Sequence, residues 1–404
     1  MSIPSLRALA ASKIIETSYL YSQTQESTII DRDSRIFVLF QKYQKDIAVY
    51  FSNEHFNNED CLDLLYLRLP SMHENEKQSL LNSAAISGHT ETVKALIAMG
   101  AGVDIQDNDG RTALMKAAIY GQTETVKALK EMGAGVDIQD QDTTGWTALM
   151  WAAEYGQTET VKALIAMGAG VDIKDNDGLT ALMLAARDVQ TETVKALIAM
   201  GAGVDIQSNS GATALMLAAL NGRTETVKAL IDLGAGLNIK NNDGTTALML
   251  AARNGRTGTL KALIDLGAGV DIQDNDGWTA LMWAAWKGQT ETVKALKEMG
   301  AGLDIKDNNG WTALMFAALN GHTDTVKALK EMGAGLDIKD NTGWTALMFA
   351  TMNGHTETVK VLKAEDNKLY YKKLKSTCYK ISLPIIFGMG TFLLSYYRSN
   401  FLKD

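Results

Sequence analysis

One short pattern, Gly followed by a variable residue and then Thr-Ala-Leu, recurs along most of the chain. Successive copies are 35 residues apart once and 33 residues apart six times. The glycines that open these copies are Gly110, Gly145, Gly178, Gly211, Gly244, Gly277, Gly310 and Gly343. With one incomplete copy upstream and a last copy that ends early, we count nine repeats in residues 74–365. A fixed period of this length predicts an array in which each repeat packs on its neighbours.

The first half of a repeat predicts a turn followed by a short helix. Asp107–Gly110 has the composition of a turn, and its glycine can adopt positive φ. Thr112 is suited to cap a helix whose small and apolar residues follow directly. Gly121 then ends that helix in the manner of a left-handed C-cap.

The second half predicts a longer helix and a return to the next turn. The helix is expected from Glu124 to Met132, with Val126, Leu129 and Met132 on one face. Gly133 ends it, and the alternating residues 136–138 are expected to form a short extended arm. Each repeat is therefore predicted to consist of a first helix, a turn, a second helix and a β-turn finger.

A unit of this size cannot bury its apolar face alone, so stability must come from stacking. Paired alanines such as Ala117 and Ala118 allow the helices to approach closely. The methionine at the position of Met115 recurs eight times, and at this spacing core packing is favoured over an adaptable binding surface. The fold class predicted is an all-α solenoid.

The repeat resembles the ankyrin repeat family in its period and in many of its residues. The matching residues in one repeat are Asp107, Gly110, Thr112, Leu114, Ala117, Ala118, Gly121, Glu124, Val126, Leu129, Gly133, Ala134 and Val136. The family's usual Thr-Pro-Leu-His is Thr-Ala-Leu-Met here, so the histidine bonds that commonly tie neighbouring repeats are absent. The resemblance implies an α-solenoid that acts as a scaffold or adaptor and binds a partner protein on the concave face formed by fingers and first helices. It also implies a monomeric array without a cofactor.

Three irregularities interrupt the period. Two extra residues lie within residues 140–144, which predicts a longer finger or a reshaped turn. Val189 stands where other repeats have the inter-helix glycine, which predicts a changed turn. Gly258 replaces the glutamate of a second helix and should weaken that helix by roughly 1 kcal/mol.

The two ends of the chain lack the repeat. Residues 1–73 contain two candidate helices and are expected to form a helical N-terminal cap, an independent functional domain being the alternative. Arg7 and Lys13 interrupt the early apolar stretch, so no secretory signal peptide is seen. Residues 366–404 are expected to form a basic segment and an apolar C-terminal tail.

The tail contains seventeen uncharged residues, 381–397, between basic flanks. As a helix they would span about 25 Å, slightly less than the apolar core of a bilayer. The segment is interpreted as a membrane anchor that leaves the array on the cytoplasmic side. The alternative is a helix that packs on the last repeat.

Composition and motifs exclude most chemistry. A net charge of −8 argues against nucleic acid, and two cysteines support neither a disulfide framework nor a zinc site. His89, His322 and His355 follow the inter-helix glycine at a position read as a solvated helix start. Asp107–Gly110 lacks the other ligands of a calcium loop. No enzyme activity, catalytic residue, metal or cofactor is therefore expected.

The variable positions on the fingers and first helices are the candidate partner-binding residues. Aromatic side chains at repeat-spaced positions suit a protein-binding face, although packing between repeats is the competing interpretation. The candidates are Tyr120, Trp146, Tyr155, Trp278, Trp286, Lys287, Trp311, Leu319, Asn320, Trp344, Met352 and Asn353. The function predicted is a protein–protein interaction scaffold. The alternative is a membrane-tethered protein held by residues 381–397, and similarity to arrays of intracellular microbes suggests a host-directed effector.

Overall fold

The computed structural model describes residues 74–140, 144–188 and 190–363. These residues form eighteen α-helices and no β-strand. The helices are α1 (Glu74–Ser87), α2 (Thr90–Ala98), α3 (Ala113–Ile119), α4 (Thr123–Glu131), α5 (Ala148–Glu154), α6 (Thr158–Ala166), α7 (Ala181–Arg187), α8 (Thr191–Ala199), α9 (Ala214–Leu220), α10 (Thr224–Asp232), α11 (Ala247–Arg253), α12 (Thr257–Asp265), α13 (Ala280–Trp286), α14 (Thr290–Glu298), α15 (Ala313–Leu319), α16 (Thr323–Glu331), α17 (Ala346–Met352) and α18 (Thr356–Lys363). The odd-numbered helix is the first and the even-numbered helix the second of each repeat, which confirms the all-α array and nine helix pairs.

The first helix of a repeat is short because its two ends are fixed by the residues that the sequence singled out. In α3 the Thr112 hydroxyl accepts a hydrogen bond from the Met115 N–H at 3.3 Å, as expected of an N-cap. Gly121 ends the helical stretch with φ of 68°. A side chain at that φ would be strained, so the position favours glycine.

The second helix buries one face and exposes the other. In α4, Val126 and Leu129 are fully buried, whereas Lys127 donates to Glu124 at 2.7 Å on the exposed side. Gly133, with φ of 97°, ends the helix. The observed helix is shifted by one residue from the predicted bounds, which is within the usual uncertainty of helix ends.

The expected extended arm after the second helix is wrong. Val136 and Asp137 form a turn, and no strand occurs among the residues that the model describes. The Asp137 carboxylate instead accepts a hydrogen bond from the Gly170 N–H of the next repeat at 2.9 Å. The alternation of apolar and polar residues reflects one buried valine in a turn.

The described residues belong to two compact units. The first contains the described residues up to Ala251 together with Gly258–Ala268, and the second contains Ala252–Thr257 and the residues from Gly269 onward. Within the first unit, the first helices α1, α3, α5, α7 and α9 pack in sequence, as do the second helices α2, α4, α6, α8 and α10. Within the second unit, α13, α15 and α17 pack in sequence, as do α14, α16 and α18.

The core lies between the two rows of helices in each unit. The paired alanines are fully buried, and seven of the eight repeated methionines are only 1% exposed. The eighth, Met348, lies in the last repeat and is half-buried. The repeated methionines are therefore core residues, as their spacing predicted.

Hydroxyl groups link neighbouring second helices. The Thr123 and Thr160 side chains share a hydrogen bond of 2.7 Å between adjacent repeats. Seven further pairs make the same contact: Thr90–Thr125, Thr158–Thr193, Thr191–Thr226, Thr224–Thr259, Thr257–Thr292, Thr290–Thr325 and Thr323–Thr358. These bonds therefore join each described second helix to the next one.

The position after the inter-helix glycine also links repeats, which corrects its interpretation as a solvated helix start. His322 Nε2 lies 3.0 Å from the Trp286 carbonyl oxygen of the preceding repeat, and His355 Nε2 lies 2.9 Å from that of Leu319. Glutamine and arginine make the equivalent bond in other repeats, namely Gln122 to Ile86, Gln157 to Ile119 and Arg223 to Arg187. Different long polar side chains are accepted here because each can reach the same carbonyl.

Several expectations concern residues outside the described ranges. The N-terminal cap (1–73), the basic segment and tail (366–404), residues 141–143 and Val189 all lie there, so these domain boundaries stay predictions. Next to Val189, Asp188 has ψ of −173°, whereas the equivalent Tyr155 has ψ of 6°. Among the described helices, none is long and apolar enough to cross a bilayer.

Candidate partner-binding surface

The last residue of each first helix and the residue after it vary between repeats, and we call these positions the turn-edge row. The row consists of Ile119–Tyr120, Glu154–Tyr155, Arg187–Asp188, Leu220–Asn221, Arg253–Asn254, Trp286–Lys287, Leu319–Asn320 and Met352–Asn353. Each pair lies where the helix ends, and a glycine of positive φ follows in every repeat except that of Val189. The exposed large apolar side chains of the row are Tyr120 (56%), Tyr155 (53%) and Met352 (48%).

In the second compact unit, aromatic rings from three repeats contact one another in a continuous series that we call the aromatic ladder. Its members are, in order of contact, Trp283, Trp278, Phe316, Trp311, Phe349 and Trp344. Successive ring centroids are 4.7, 4.1, 5.1, 4.5 and 5.3 Å apart. These are distances at which aromatic pairs attract one another beyond the effect of burial.

The ladder alternates between fingers and first helices. A finger tryptophan such as Trp278 contacts the ring of its own first helix, Trp283, and that of the next repeat, Phe316. Trp311 likewise bridges Phe316 and Phe349. The finger tryptophans of this unit are half-buried, so each packs one face and leaves part of its ring accessible.

A smaller aromatic group lies in the first compact unit. Trp146 and Trp151 are 4.5 Å apart between ring centroids, and Tyr155 stacks at 6.3 Å from Trp151. The Trp146 indole N–H donates to the Asp175 carboxylate of the next repeat at 2.9 Å. With 8% of its surface exposed, Trp146 contributes mainly to packing.

The predicted candidates therefore separate by exposure. Those exposed are Tyr120, Tyr155, Lys287, Met352 and Asn353; those half-buried are Trp278, Trp311, Leu319, Asn320 and Trp344; and those buried are Trp146 and Trp286. The Asn320 and Asn353 amides donate to main-chain oxygens of their own helices at 2.9 and 3.0 Å. Partner binding by these residues stays a prediction, with burial favouring a packing role for Trp146 and Trp286.

In the first compact unit, the charged residues of the row form ion pairs with one another or with the arginine after the inter-helix glycine. Arg187 donates to Glu154 at 2.6 Å, and Arg223 lies 3.7 Å from Asp188. We call these four residues the paired-charge cluster. Burial raises the pKa of Glu154, and the hydrogen bond from Arg187 opposes that shift.

The corresponding positions of the second compact unit hold cations on tryptophan rings. The Lys287 Nζ atom lies 4.2 Å from the centroid of Trp286, and the Arg253 guanidinium lies 5.5 Å from that of Trp283. We call these four residues the cation–tryptophan patch. Burial and, to a smaller degree, the positive charge of Arg253 lower the pKa of Lys287.

Aspartates of the fingers accept hydrogen bonds from the tryptophans. Asp274 accepts hydrogen bonds from the Trp278 N–H at 2.8 Å and from the Trp283 indole N–H at 2.9 Å. Burial raises the pKa of Asp274 despite these bonds, and it raises the pKa of Asp307 for the same reason. No cluster of metal-binding side chains occurs in the described parts of the chain.

Helix pairs in tandem, with variable residues where each first helix ends, define a helical-repeat protein. A model of three ankyrin repeats matches seven overlapping stretches of the chain, 47–142, 81–177, 132–209, 149–241, 183–276, 215–307 and 287–372. The chain belongs to the ankyrin repeat family. That fold is in general a non-catalytic scaffold for protein–protein interaction.

Among solved structures, the chain is similar to the ankyrin repeat domain of human ASB11. The two are 25% identical, and the match covers 55% of this chain and 99% of that domain, with a TM-score of 0.50. No curated protein matches the chain.

Proposed function

We propose that the protein is an interaction scaffold that binds a partner protein along its fingers and first helices. The main support is the distribution of variability among the repeats. The core alanines and methionines and the threonine links recur in repeat after repeat, whereas the turn-edge row changes at each step. Because the recurring residues are used by stacking, the varying residues are available for recognition.

Large apolar side chains that remain exposed on this edge carry the proposal. Tyr120, Tyr155 and Met352 are each about half exposed at equivalent or adjacent positions of their repeats. Tyrosine supplies contact area and a hydrogen-bonding hydroxyl with little conformational freedom to lose, which is why it is frequent at binding hot spots. Such side chains give a partner anchor points without disturbing the core.

The experiment is capture of a partner by the full chain, compared with two matched variants. The first variant carries Tyr120→Ser and Tyr155→Ser on the turn-edge row. The control carries Leu233→Ser and Leu266→Ser, which remove exposed apolar side chains at the ends of second helices (41% and 38% exposed). Both should melt like the parent, and only the first should lose the partner. If the control variant loses the partner and the tyrosine variant keeps it, the partner is recognised by the second helices instead.

We further propose that residues 381–397 tether the array to a membrane. The partner of the tethered array would be a protein of the cell that an intracellular microbe occupies. The support is the sequence, seventeen uncharged residues between lysines and Arg398. The test is flotation with phosphatidylserine vesicles of the full chain and of a chain lacking residues 381–397. Only the full chain should float, and a full chain that stays in the supernatant at physiological salt would end this proposal.

A further inference from the structure

In the first compact unit, Arg111 occupies a place that a tryptophan holds in the aromatic ladder. It follows the turn glycine of its repeat, as Trp278 does, and its guanidinium lies 4.2 Å from the ring centroid of Trp151 in the next repeat. Trp278 has the same relation to Phe316, with ring centroids 4.1 Å apart. A positive charge therefore replaces an indole in the stack between two repeats.

The guanidinium is supported by packed rings and reaches the surface at its outer end. Trp151 is 7% exposed, and its ring lies 4.5 Å from that of Trp146 and 6.3 Å from that of Tyr155. The Arg111 Nε atom is buried and has no hydrogen-bond partner. The terminal nitrogens have no partner among the described residues either, but they are not buried. The cation is thus held in one place with its outer nitrogens accessible.

The carboxylates of the adjoining fingers are already bound to other groups. Asp107 lies 2.5 Å from the Lys116 Nζ atom and accepts the main-chain N–H of Arg111 at 2.9 Å. Asp140 accepts hydrogen bonds from the main-chain N–H groups of residues 144–146. Within the described ranges, no carboxylate forms an ion pair with the Arg111 guanidinium. Its charge therefore has no counterion there.

The indole under the guanidinium also lacks an acceptor. Trp283, at the equivalent place of the second unit, donates its indole N–H to Asp274 at 2.9 Å. In the repeat of Trp151 the aspartate that binds the finger is Asp140, and its second carboxylate oxygen accepts the Thr144 hydroxyl at 3.0 Å. The Trp151 Nε1 atom is buried without a partner. Both members of this stack, the guanidinium and the indole, are donors for which the described chain supplies no oxygen.

We propose that the outer end of the Arg111 guanidinium binds the carboxylate of an acidic side chain in a partner protein. The proposal rests on the interaction function proposed above and specifies the partner's chemistry. A carboxylate matches the planar guanidinium with two parallel hydrogen bonds. Tyr155, which is 53% exposed and contacts the same indole, offers a ring to the neighbouring side chain of the partner.

A phosphate group is the less suitable anion. It carries a charge of about −1.5 to −2 at neutral pH and is typically bound by several arginines. Arg111 is a single guanidinium, and the cation of its own first helix, Lys116, is bound to Asp107.

The repeats themselves supply the variants that test this. Leu179 occupies the place of Arg111, so Arg111→Leu introduces a residue that the fold already accepts. Arg111→Lys keeps the charge and loses the planar fork. Arg223→Gln is the matched control, because it removes the same charge from the same unit and copies Gln122 of another repeat. Melting curves verify that each variant is folded.

The measurement is NMR of the isotope-labelled full chain, observed through the indole N–H signal of Trp151. Trp151→Phe assigns that signal, since Phe316 holds the equivalent place. The probe is the acetylated peptide Glu-Glu-Tyr-Glu-Glu, and Gln-Gln-Tyr-Gln-Gln and inorganic phosphate are titrated in parallel.

The acidic peptide should shift the Trp151 signal in a saturable manner, and the glutamine peptide should not. Arg111→Leu should weaken binding of the acidic peptide about tenfold, and Arg223→Gln should change it less than about twofold. Arg111→Lys should fall between the two, because one charge remains without the second parallel bond.

Three results would overturn the inference: no shift with the acidic peptide at millimolar concentration, equal binding by Arg111→Leu, or tighter binding of inorganic phosphate through Arg111. A fourth concerns Asp142, which lies outside the described residues. If Asp142→Asn binds the acidic peptide several-fold more tightly than the parent does, the chain itself supplies the carboxylate and the proposal of a partner's carboxylate is wrong.

The outcome is separable from that of the capture experiment. A partner lost from the variant with Tyr120→Ser and Tyr155→Ser would support the scaffold function even if the acidic peptide failed to bind. Peptide binding at Arg111 together with a partner that the tyrosine variant keeps would remove only the proposed role of the turn-edge row.

Discussion

The paired-charge cluster and the cation–tryptophan patch occupy equivalent places in different repeats, yet they are stabilised differently. In the first, Glu154 and Asp188 neutralise Arg187 and Arg223 across repeat boundaries. In the second, the cations rest on tryptophan rings that continue into the aromatic ladder. The first region is thus held by ion pairs between repeats, and the second by contacts between cations and aromatic rings.

This difference shows that a scaffold of nearly identical repeats acquires distinct surfaces through very few residues. The buried alanine and methionine positions and the threonine links are the same in both regions. Exchanging a glutamate for a tryptophan, or an aspartate for a lysine, at the row changes how that part of the array is held together.

The largest effect is expected from breaking the aromatic ladder. Trp278→Ala removes the ring that joins Trp283 to Phe316 and should lower the free energy of unfolding by about 2–3 kcal/mol, less than for a fully buried ring. Ala212 occupies this position in another repeat, so the backbone tolerates the change. Urea denaturation measures the loss.

Trp344→Ala is the control for that experiment. Trp344 has the same position at the end of the ladder and contacts the ring of Phe349 alone among those described. Trp344→Ala should therefore lower the free energy of unfolding by only about 1 kcal/mol. Equal losses at the two positions would show that contacts between repeats add nothing to those within a repeat.

Charge reversal in the paired-charge cluster should have the next largest effect. Arg187→Glu places a carboxylate beside Glu154 and Asp188 and should destabilise the protein by roughly 1–2 kcal/mol. Lys287→Asn, in contrast, should change stability by less than about 0.5 kcal/mol, because it removes a repulsion together with a cation–π contact. Thermal unfolding at low salt compares them, and a greater loss from Lys287→Asn would reverse the comparison.

A smaller change in the opposite direction is expected at Gly258 in α12. A Cβ atom there would meet only the Thr224 hydroxyl, at 4.0 Å, and the residue does not have positive φ. Gly258→Ala should stabilise the protein by roughly 0.5–1 kcal/mol through helix propensity. Gly133→Ala also meets open space but has φ of 97° and should destabilise. Denaturant midpoints of the two variants separate the effect of helix propensity from that of backbone strain, and a loss of stability with Gly258→Ala would contradict the prediction.

The smallest effect concerns pH and the finger aspartates of the second unit. Burial raises the pKa of Asp274, so the folded protein binds this proton at a higher pH than the unfolded chain does. Stability from this group therefore increases as pH falls through the raised value and is complete below the unfolded value. Asp274→Asn, which copies Asn241, should remove that increase. The test is to measure the free energy of unfolding of the parent and of the variant between pH 7 and pH 4. If the two proteins show the same dependence on pH, the raised pKa of Asp274 is contradicted.

Much of the fold follows from local chemistry that the sequence displays. Glycine at Gly110, Gly121 and Gly133 marks positive φ, and Thr112 caps its helix as its position predicts. The extended arm was wrong because a three-residue alternation does not distinguish a strand from a turn with one buried valine.

The candidate site was harder to predict because it depends on register between repeats. The sequence shows that Trp278 recurs on fingers, but only the structure shows its ring between Trp283 and Phe316. The bond from His322 to the preceding repeat was missed for the same reason, since the partner is a carbonyl group. Exchange among Gln, Arg and His, all long hydrogen-bonding side chains, was the available signal.

The threonine links have a consequence for how such a chain changes over generations. Because each link joins the same two positions of successive repeats, removing or duplicating one whole 33-residue segment recreates an identical junction. Unequal recombination between the near-identical coding segments can therefore alter copy number without inventing a new interface. The aromatic and charged edge would be inherited in blocks, and the array could lengthen its reach in a single genetic event.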